Sequence, residues 1–335
     1  MKAIIQDRYG TPEDLRFADV ALPVRREDEV LVQVKAASVH ADVWHVMTGQ
    51  PYVLRAMGAG VRRPNQPIPG TDMSGVVARV GSQVTRFQPG DEVFGETVRP
   101  ARQWTNGGAF AEYVSVPEEV LAHKPDNLTF VEAAAVPTAG LIALQGVRQE
   151  GDVAPGHHVL INGAAGGVGH LAVQMAKAAG AEVTAVDTGD KLDMLRSIGA
   201  DHVIDFTVQD FTEVPAMYDV IIDIPGNHSF AEISPILDPH GRYVLIGHDG
   251  YGRTRGRWLG SMGTMMTLMA SSAFREQVGK PDFTIPADRM EVLTDLLARG
   301  EVKPVIDRTY PLSEAPAAMQ YLMDGGVRGK VVLTV

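Results

Sequence analysis

The chain has 335 residues and carries 30 Lys and Arg against 41 Asp and Glu, a formal charge of −11 with neutral histidines. Its hydrophobic share of 45% suits a well-buried interior, and its length suggests two domains rather than one core. The negative charge argues against nucleic acid as a main partner, and the absence of cysteine excludes disulfides, redox thiols and every thiolate zinc site.

The first residues, MKAIIQDRYG, read as the start of a strand and not as a signal peptide. No run of about 18 apolar residues occurs, so no integral membrane span is expected, and cytoplasmic residence follows. Short strand candidates at 3–6, 30–36, 75–80, 91–94 and 110–116 are separated by turn signals such as Gln88-Pro89-Gly90-Asp91. Residues 128–135 then turn helical, with Asn127 available as the N-cap.

From His157 strands and helices alternate. Strands are expected at 157–162, 182–187, 202–206, 219–224 and 242–247, with helices at 192–198 and 230–237. That order gives a parallel sheet with crossover helices, whose ligand sits at the carboxyl ends of the strands. Helices at 288–299 and 314–324 and a closing strand at 330–335 follow, and this tail is expected to return to the N-terminal domain.

Within the alternating part, residues 161–187 read INGAAGGVGHLAVQMAKAAGAEVTAVD. A strand runs into a turn holding Ala165, Gly166, Gly167, Val168 and Gly169. Val168, Leu171, Ala172, Met175, Ala176 and Ala179 then make the stripe of a helix with one buried face. A second strand ends in Asp187, eighteen residues after Gly169. Glycines here make the tight turn, admit a pyrophosphate to the backbone and let helix pack on strand. The N–H groups and dipole at the helix start hold the diphosphate. The first glycine of the usual pattern is Ala164. In this strand–turn–helix–strand context the run is a dinucleotide site.

Seven runs in order resemble the medium-chain dehydrogenase/reductase superfamily, and most closely its zinc-free quinone oxidoreductase branch. They are PGTDMSGVVARVG (69–81), FQPGDEVFG (87–95), GGAFAEYVSVP (107–117), AAAVPTAGLIALQGV (133–147), NGAAGGVG (162–169), SIGADHVIDF (197–206) and RGKVVLTV (328–335). The resemblance implies an α/β protein: a GroES-like β-rich catalytic domain (1–126), a doubly wound Rossmann domain (127–275) and a return segment (276–335) completing the first. It implies an NAD(P)H-dependent oxidoreductase passing hydride to a quinone or α,β-unsaturated carbonyl, a small-molecule substrate, and a homodimer. A metal-free alcohol dehydrogenase or ketone reductase is the nearest alternative, and a non-catalytic nucleotide-binding protein a more distant one.

The resemblance also assigns residues. His40 stands at the first metal-ligand position of the zinc-dependent members, and Gly70-Thr71-Asp72 replaces the motif with the metal histidine and its acid. His40 and His45 are five apart, not the four that align two ligands on a helix, so a polar pocket wall is preferred to a metal site. His40, His45 and Tyr52 are candidate proton donors. Thr138 resembles the threonine near the nicotinamide amide, and Lys330 the basic residue near the pyrophosphate. Gly247 and His248 stand in the nicotinamide-side loop, and Ile224-Pro225-Gly226 in the loop beside adenosine. Asp187 favours NADH by binding both ribose hydroxyls and repelling a 2′-phosphate. Lys191 and Phe206 match positions that contact that phosphate in some members, so NADPH stays open.

Two segments stand apart. Residues 50–66 form an apolar and basic loop expected at the substrate entrance. Residues 260–274 carry four methionines beside Arg253, Arg255, Arg257 and Arg275. This second segment reads as a core helix, a lid, a subunit contact or a membrane-surface helix, with the first two preferred.

Overall fold

The computed structural model describes residues 1–99, 105–247, 257–260, 263–264, 266–268, 277–278 and 288–335. An antiparallel pair, β1 (Lys2–Ile5) with β2 (Arg16–Asp19), precedes the first large sheet. That sheet contains β3 (Glu29–Val39), β4 (Asp72–Val80), β5 (Glu92–Glu96), β6 (Tyr113–Pro117) and β7 (Leu121–His123). β3 is four residues longer than its apolar run suggested. Its far half is covered on both faces, because Ala36 packs with Ala134, Ala135 and Val332.

The 110–116 strand begins only at Tyr113, and Ala111 makes a lone bridge to Ala3. Helix α1 (Ala41–Thr48) follows β3 at once and stops at Gly49, whose left-handed φ of 61° closes the last turn. Helix α2 (Phe130–Ala134) is capped by Thr129, not by Asn127. The Thr129 hydroxyl and Glu132 carboxylate satisfy each other's backbone N–H groups, a capping box that fits only at that spacing. Asn127 instead donates to the Leu297 carbonyl at 2.9 Å. Helix α3 (Pro137–Leu144) is buried almost all round and so has no periodic stripe to read.

The second sheet is entirely parallel. Its strands are β8 (His158–Asn162), β9 (Glu182–Asp187), β10 (His202–Asp205), β11 (Tyr218–Asp223) and β12 (Leu237–Leu245), in the order β10-β9-β8-β11-β12. Helices α4 (Gly169–Ala178), α5 (Leu192–Ser197) and α6 (Phe230–Ile233) lie among them. Val159, Ile161, Val220 and Ile222 join one buried cluster while Leu160 and Ile221 join another, so both faces are covered, as a doubly wound sheet requires. Residues 230–237 do not form one helix. Pro235 cannot donate to the ladder, the chain tightens to a 3₁₀ turn at Ser234–Ile236, and β12 starts at Leu237.

The tail serves both sheets. Met290, Leu293 and Leu297 of α7 (Arg289–Ala298) enter the core of the parallel sheet. After β13 (Ile306–Pro311), Ala315, Ala318 and Met319 of α8 (Ala315–Asp324) enter the core of the first sheet. Strand β14 (Lys330–Thr334) then sits between β13 and β3. Among the described residues no helix is long and apolar enough to cross a membrane.

Candidate active site

The turn after β8 is built from its own close approaches. Gly163 has φ of 77°, and both Gly163 and Ala164 donate to the Val186 carbonyl at 3.0 Å. A side chain on Gly169 would sit 2.3 Å from the Gly163 carbonyl oxygen, so α4 can begin this close to β8 only with glycine there. At Gly166 the nearest atom to an added carbon is 3.4 Å away, so that glycine leaves room for something outside the chain.

Asp187 ends β9 beside this turn and is buried. One carboxylate oxygen accepts the Ala165 N–H at 2.9 Å; the other accepts the Thr188 N–H at 2.9 Å and lies 3.2 Å from Lys191 Nζ. The acid is therefore part of the turn's framework, and part of its charge is matched.

The first sheet reaches the same place. Gly329, just before β14, donates to the Ala165 carbonyl at 2.8 Å, and the Lys330 stem lies 3.4 Å from where a Gly167 side chain would begin. Lys330 is 2% exposed, and its ammonium has no hydrogen-bond partner among the described residues. Burial lowers its pKa, against the pull of Asp72 and Asp42. In the first turn of α4, His170 Nδ1 lies 2.9 Å from the Gly166 carbonyl and so carries the hydrogen. Burial pushes this imidazole down to about 4.

Between the sheets lies a cavity of about 670 Å³. Its walls join Gly166, Gly167, Val168, Lys191 and Ile224 of the parallel-sheet side to His40, Asp42 and Lys330 of the other, with Thr138 between. Glycines that leave room, a helix start and an orphaned buried ammonium suit a diphosphate, so the arrangement fits a dinucleotide.

Other expected residues lie elsewhere. His45 and Tyr52 do not line the cavity: His45 Nδ1 meets the Gln50 carbonyl at 2.7 Å, and Tyr52 donates its N–H to the Arg257 carbonyl at 2.8 Å. The segment 50–66, expected as a loop, contains a wide helical turn at Arg55–Ala59, and its start packs against 257–258, where Tyr52 meets the edge of Trp258. Gly247 ends beyond β12 with φ of 80° and is not in the cavity wall. His248 and most of the methionine segment lie outside the described residues.

Beneath His40 is a buried polar cluster that motif reading passed over. His40 Nε2 is 2.8 Å from Thr71 Oγ1 and 3.8 Å from Asp72 Oδ2. Thr138 donates its N–H to Asp72, and its hydroxyl oxygen lies 2.5 Å from Asp72 Oδ1 and 3.2 Å from Glu96 Oε1. Arg289 pairs with the other Glu96 oxygen at 3.0 Å. Burial raises Asp72 to about 7, helped by the Glu96 charge and opposed by Lys330 and the Thr138 hydrogen bonds. Burial also raises Glu96, against Arg289, and holds His40 well below the usual histidine value. Asp72 and Glu96 stand in quoted family runs or next to them; Arg289 is 193 residues from Glu96 and carries no local signal.

Residues 26–126 match the family described as the alcohol dehydrogenase GroES-like domain, and 198–333 the family described as zinc-binding dehydrogenase. Over 339 residues the chain is 34% identical to 2-methylene-furan-3-one reductase of Solanum lycopersicum, covering 99% of this chain and 79% of that protein. It is 31% identical over 343 residues to the chloroplastic NADPH-dependent alkenal/one oxidoreductase of Arabidopsis thaliana, with 99% and 79% covered. The solved structure of the quinone oxidoreductase from Coxiella burnetii matches with a TM-score of 0.84 at 30% identity, over 100% of this chain and 99% of that one.

Proposed function

The chain belongs to the medium-chain dehydrogenase/reductase superfamily, in its quinone-oxidoreductase-like branch, and from that premise we propose that it reduces quinones or α,β-unsaturated carbonyls with NAD(P)H and without a catalytic metal. The observation that carries this reading is the cavity that joins the glycine turn to His40 and Lys330 across the two sheets. When bound, the reduced nicotinamide supplies the hydride. Gly166, Gly167 and Val168 with Lys330 hold the diphosphate, Ile224 lies on the adenosine side, and Thr138 and His40 border the reacting end.

Zinc does not fit the donor set. A catalytic zinc takes three protein ligands and an open position. Here His40 Nε2 meets the Thr71 hydroxyl at 2.8 Å, and both Asp72 oxygens accept from the Thr138 N–H. Among the described residues no three His, Cys, Asp or Glu side chains gather to hold a metal. Without a Lewis acid the suited acceptors are those whose own electron deficiency invites hydride.

Both reduced dinucleotides serve, with NADH the better. Asp187 disfavours a 2′-phosphate, and Lys191 at 3.2 Å offsets part of that repulsion. The test is oxidation of NADH and NADPH against quinones, enones, aldehydes, simple ketones and alcohols, with and without chelator. Turnover is expected on quinones or enones and unchanged by chelator. Activity confined to alcohols and ketones, or lost with chelator, overturns the reading.

A further inference from the structure

We propose that the segment 52–63 and the residues around Trp258 form one surface that docks on an anionic lipid bilayer. Charge is segregated along this chain. About one residue in eight is acidic, yet neither 43–71 nor 250–275 holds an Asp or Glu, and together they hold seven arginines. A chain of net charge −11 thus keeps two stretches that are basic throughout.

The fold joins the two stretches. Tyr52 and Val53 donate their N–H groups to the Arg257 and Trp258 carbonyls at 2.8 and 3.2 Å. The Tyr52 and Trp258 rings meet edge to face with centroids 5.4 Å apart. The Arg55 guanidinium lies 4.6 Å from the Tyr52 ring centre and 4.2 Å from that of Tyr9. The Tyr9 hydroxyl then donates to the Gly60 carbonyl, next to Val61. Contacts therefore run unbroken from Trp258 to the turn that bears Val61, Arg62 and Arg63. Asp7 and Asp14, the acids nearest Tyr9 in the chain, are already paired with Arg16 and Arg8. Arg62, Arg63 and Arg257 are exposed.

The same surface is apolar. Of the twelve large apolar side chains exposed among the described residues, five belong to these stretches: Met57, Val61, Trp258, Leu259 and Met266. Val61 and Trp258 are each 74% exposed. The second stretch is anchored all the same, since Leu268 packs on the core of the parallel sheet while Met266 stands out. Exposed apolar side chains among cations mark a contact surface. A two-fold dimer through this face would set its arginines against their own copies. A nucleic acid would take the arginines and leave the apolar side chains in water. An anionic bilayer takes both, with guanidinium groups among the headgroups and apolar side chains at the acyl boundary. The indole, apolar with one polar edge, suits that boundary.

Vesicle sedimentation and tryptophan emission test this without turnover. In a Trp104→Phe background the emitters are the buried Trp44 and the exposed Trp258. The protein should sediment with phosphatidylcholine vesicles holding about one third phosphatidylglycerol and not with phosphatidylcholine alone. Its emission should shift to shorter wavelength there, and salt should release it. Arg62→Gln, Arg63→Gln and Arg257→Gln together should cut partitioning about 100-fold, about fivefold for each arginine, with melting temperature unchanged. Trp258→Ser should weaken binding with the net charge unaltered. No sedimentation with anionic vesicles would overturn the proposal. So would emission that follows protein concentration and not lipid, which marks a subunit contact. Binding to polyglutamate or heparin as tight as to vesicles, with no shift on lipid, would reduce the face to charge alone and overturn it too. Vesicle binding by a protein that reduces no acceptor supports the docking and removes only the proposed function.

Discussion

The Asp187 carboxylate accepts the Ala165 backbone N–H at 2.9 Å, so the acid that ends β9 is also a clamp on the glycine turn. A residue expected to choose between cofactors thereby holds the site's shape for either. Asp187→Ser should raise the NADPH to NADH ratio of kcat/KM and also raise KM for both. Stability should fall by about 1.5–3 kcal/mol, the worth of a hydrogen bond to a charged group. Thermal melts with the two KM values check this; a changed ratio with unchanged melting would deny the clamp.

Lys191, 3.2 Å from Asp187 and partly buried, lines the cavity beside the end of β9. Lys191→Ala should weaken NADPH binding about 10-fold, equivalent to about 1.4 kcal/mol, and change NADH binding little. Titration of nicotinamide fluorescence measures both constants. Equal loss for the two dinucleotides would place Lys191 elsewhere.

Lys330 predicts effects of opposite sign. Its buried ammonium lacks a hydrogen-bond partner among the described residues, which costs stability until an anion arrives. Lys330→Met should keep or raise the melting temperature of the cofactor-free protein, yet weaken both dinucleotides at least about 10-fold. A variant that melts lower and binds normally would show that the lysine is structural.

Two glycines in one turn should separate folding from binding. Gly169→Ala drives a methyl to 2.3 Å from the Gly163 carbonyl and 2.6 Å from Ala164 Cα, and should destabilise the protein by more than about 1 kcal/mol. Gly166→Ala meets nothing closer than 3.4 Å, so it should fold normally and lose dinucleotide affinity. Melting curves and binding titrations of the pair decide it; normal binding in Gly166→Ala would remove that glycine from the diphosphate site.

Two buried groups give stability opposite pH slopes. Asp72 has its folded pKa raised from 3.8 to about 7, so its contribution is full below 3.8 and lost as pH rises through about 7. His170 is lowered from 6.5 to about 4, so its contribution is full above 6.5 and lost as pH falls through about 4. Asp72→Asn should therefore gain melting temperature over wild type at pH 8 relative to pH 5. His170→Gln should flatten the acid side of the profile instead. Parallel profiles for wild type and Asp72→Asn would mean that Asp72 is ionised throughout.

The sequence by itself determined the parallel sheet and its glycine turn, because those signals are local. Strand 182–187 was readable to the residue, since Val183, Thr184, Ala185 and Val186 make a short uncharged run between Glu182 and Asp187. The turn was readable because only glycine tolerates a carbonyl 2.3 Å from where its side chain would start. Helix α3 left no trace, since burial on all sides erases periodicity, and the N-cap of α2 moved to Thr129, where the capping box closes.

Tertiary structure alone decided what the site residues do. Thr138 meets Asp72 across 66 positions and Glu96 across 42, and Arg289 reaches Glu96 across 193. His45 and Tyr52, chemically as apt as His40, stand outside the cavity wall, the His45 ring at the Gln50 carbonyl and the Tyr52 ring against Trp258. Residue type and spacing carry chemistry and local geometry. Burial and charge, which set proton affinity, come from elements that meet only when the two sheets close on each other.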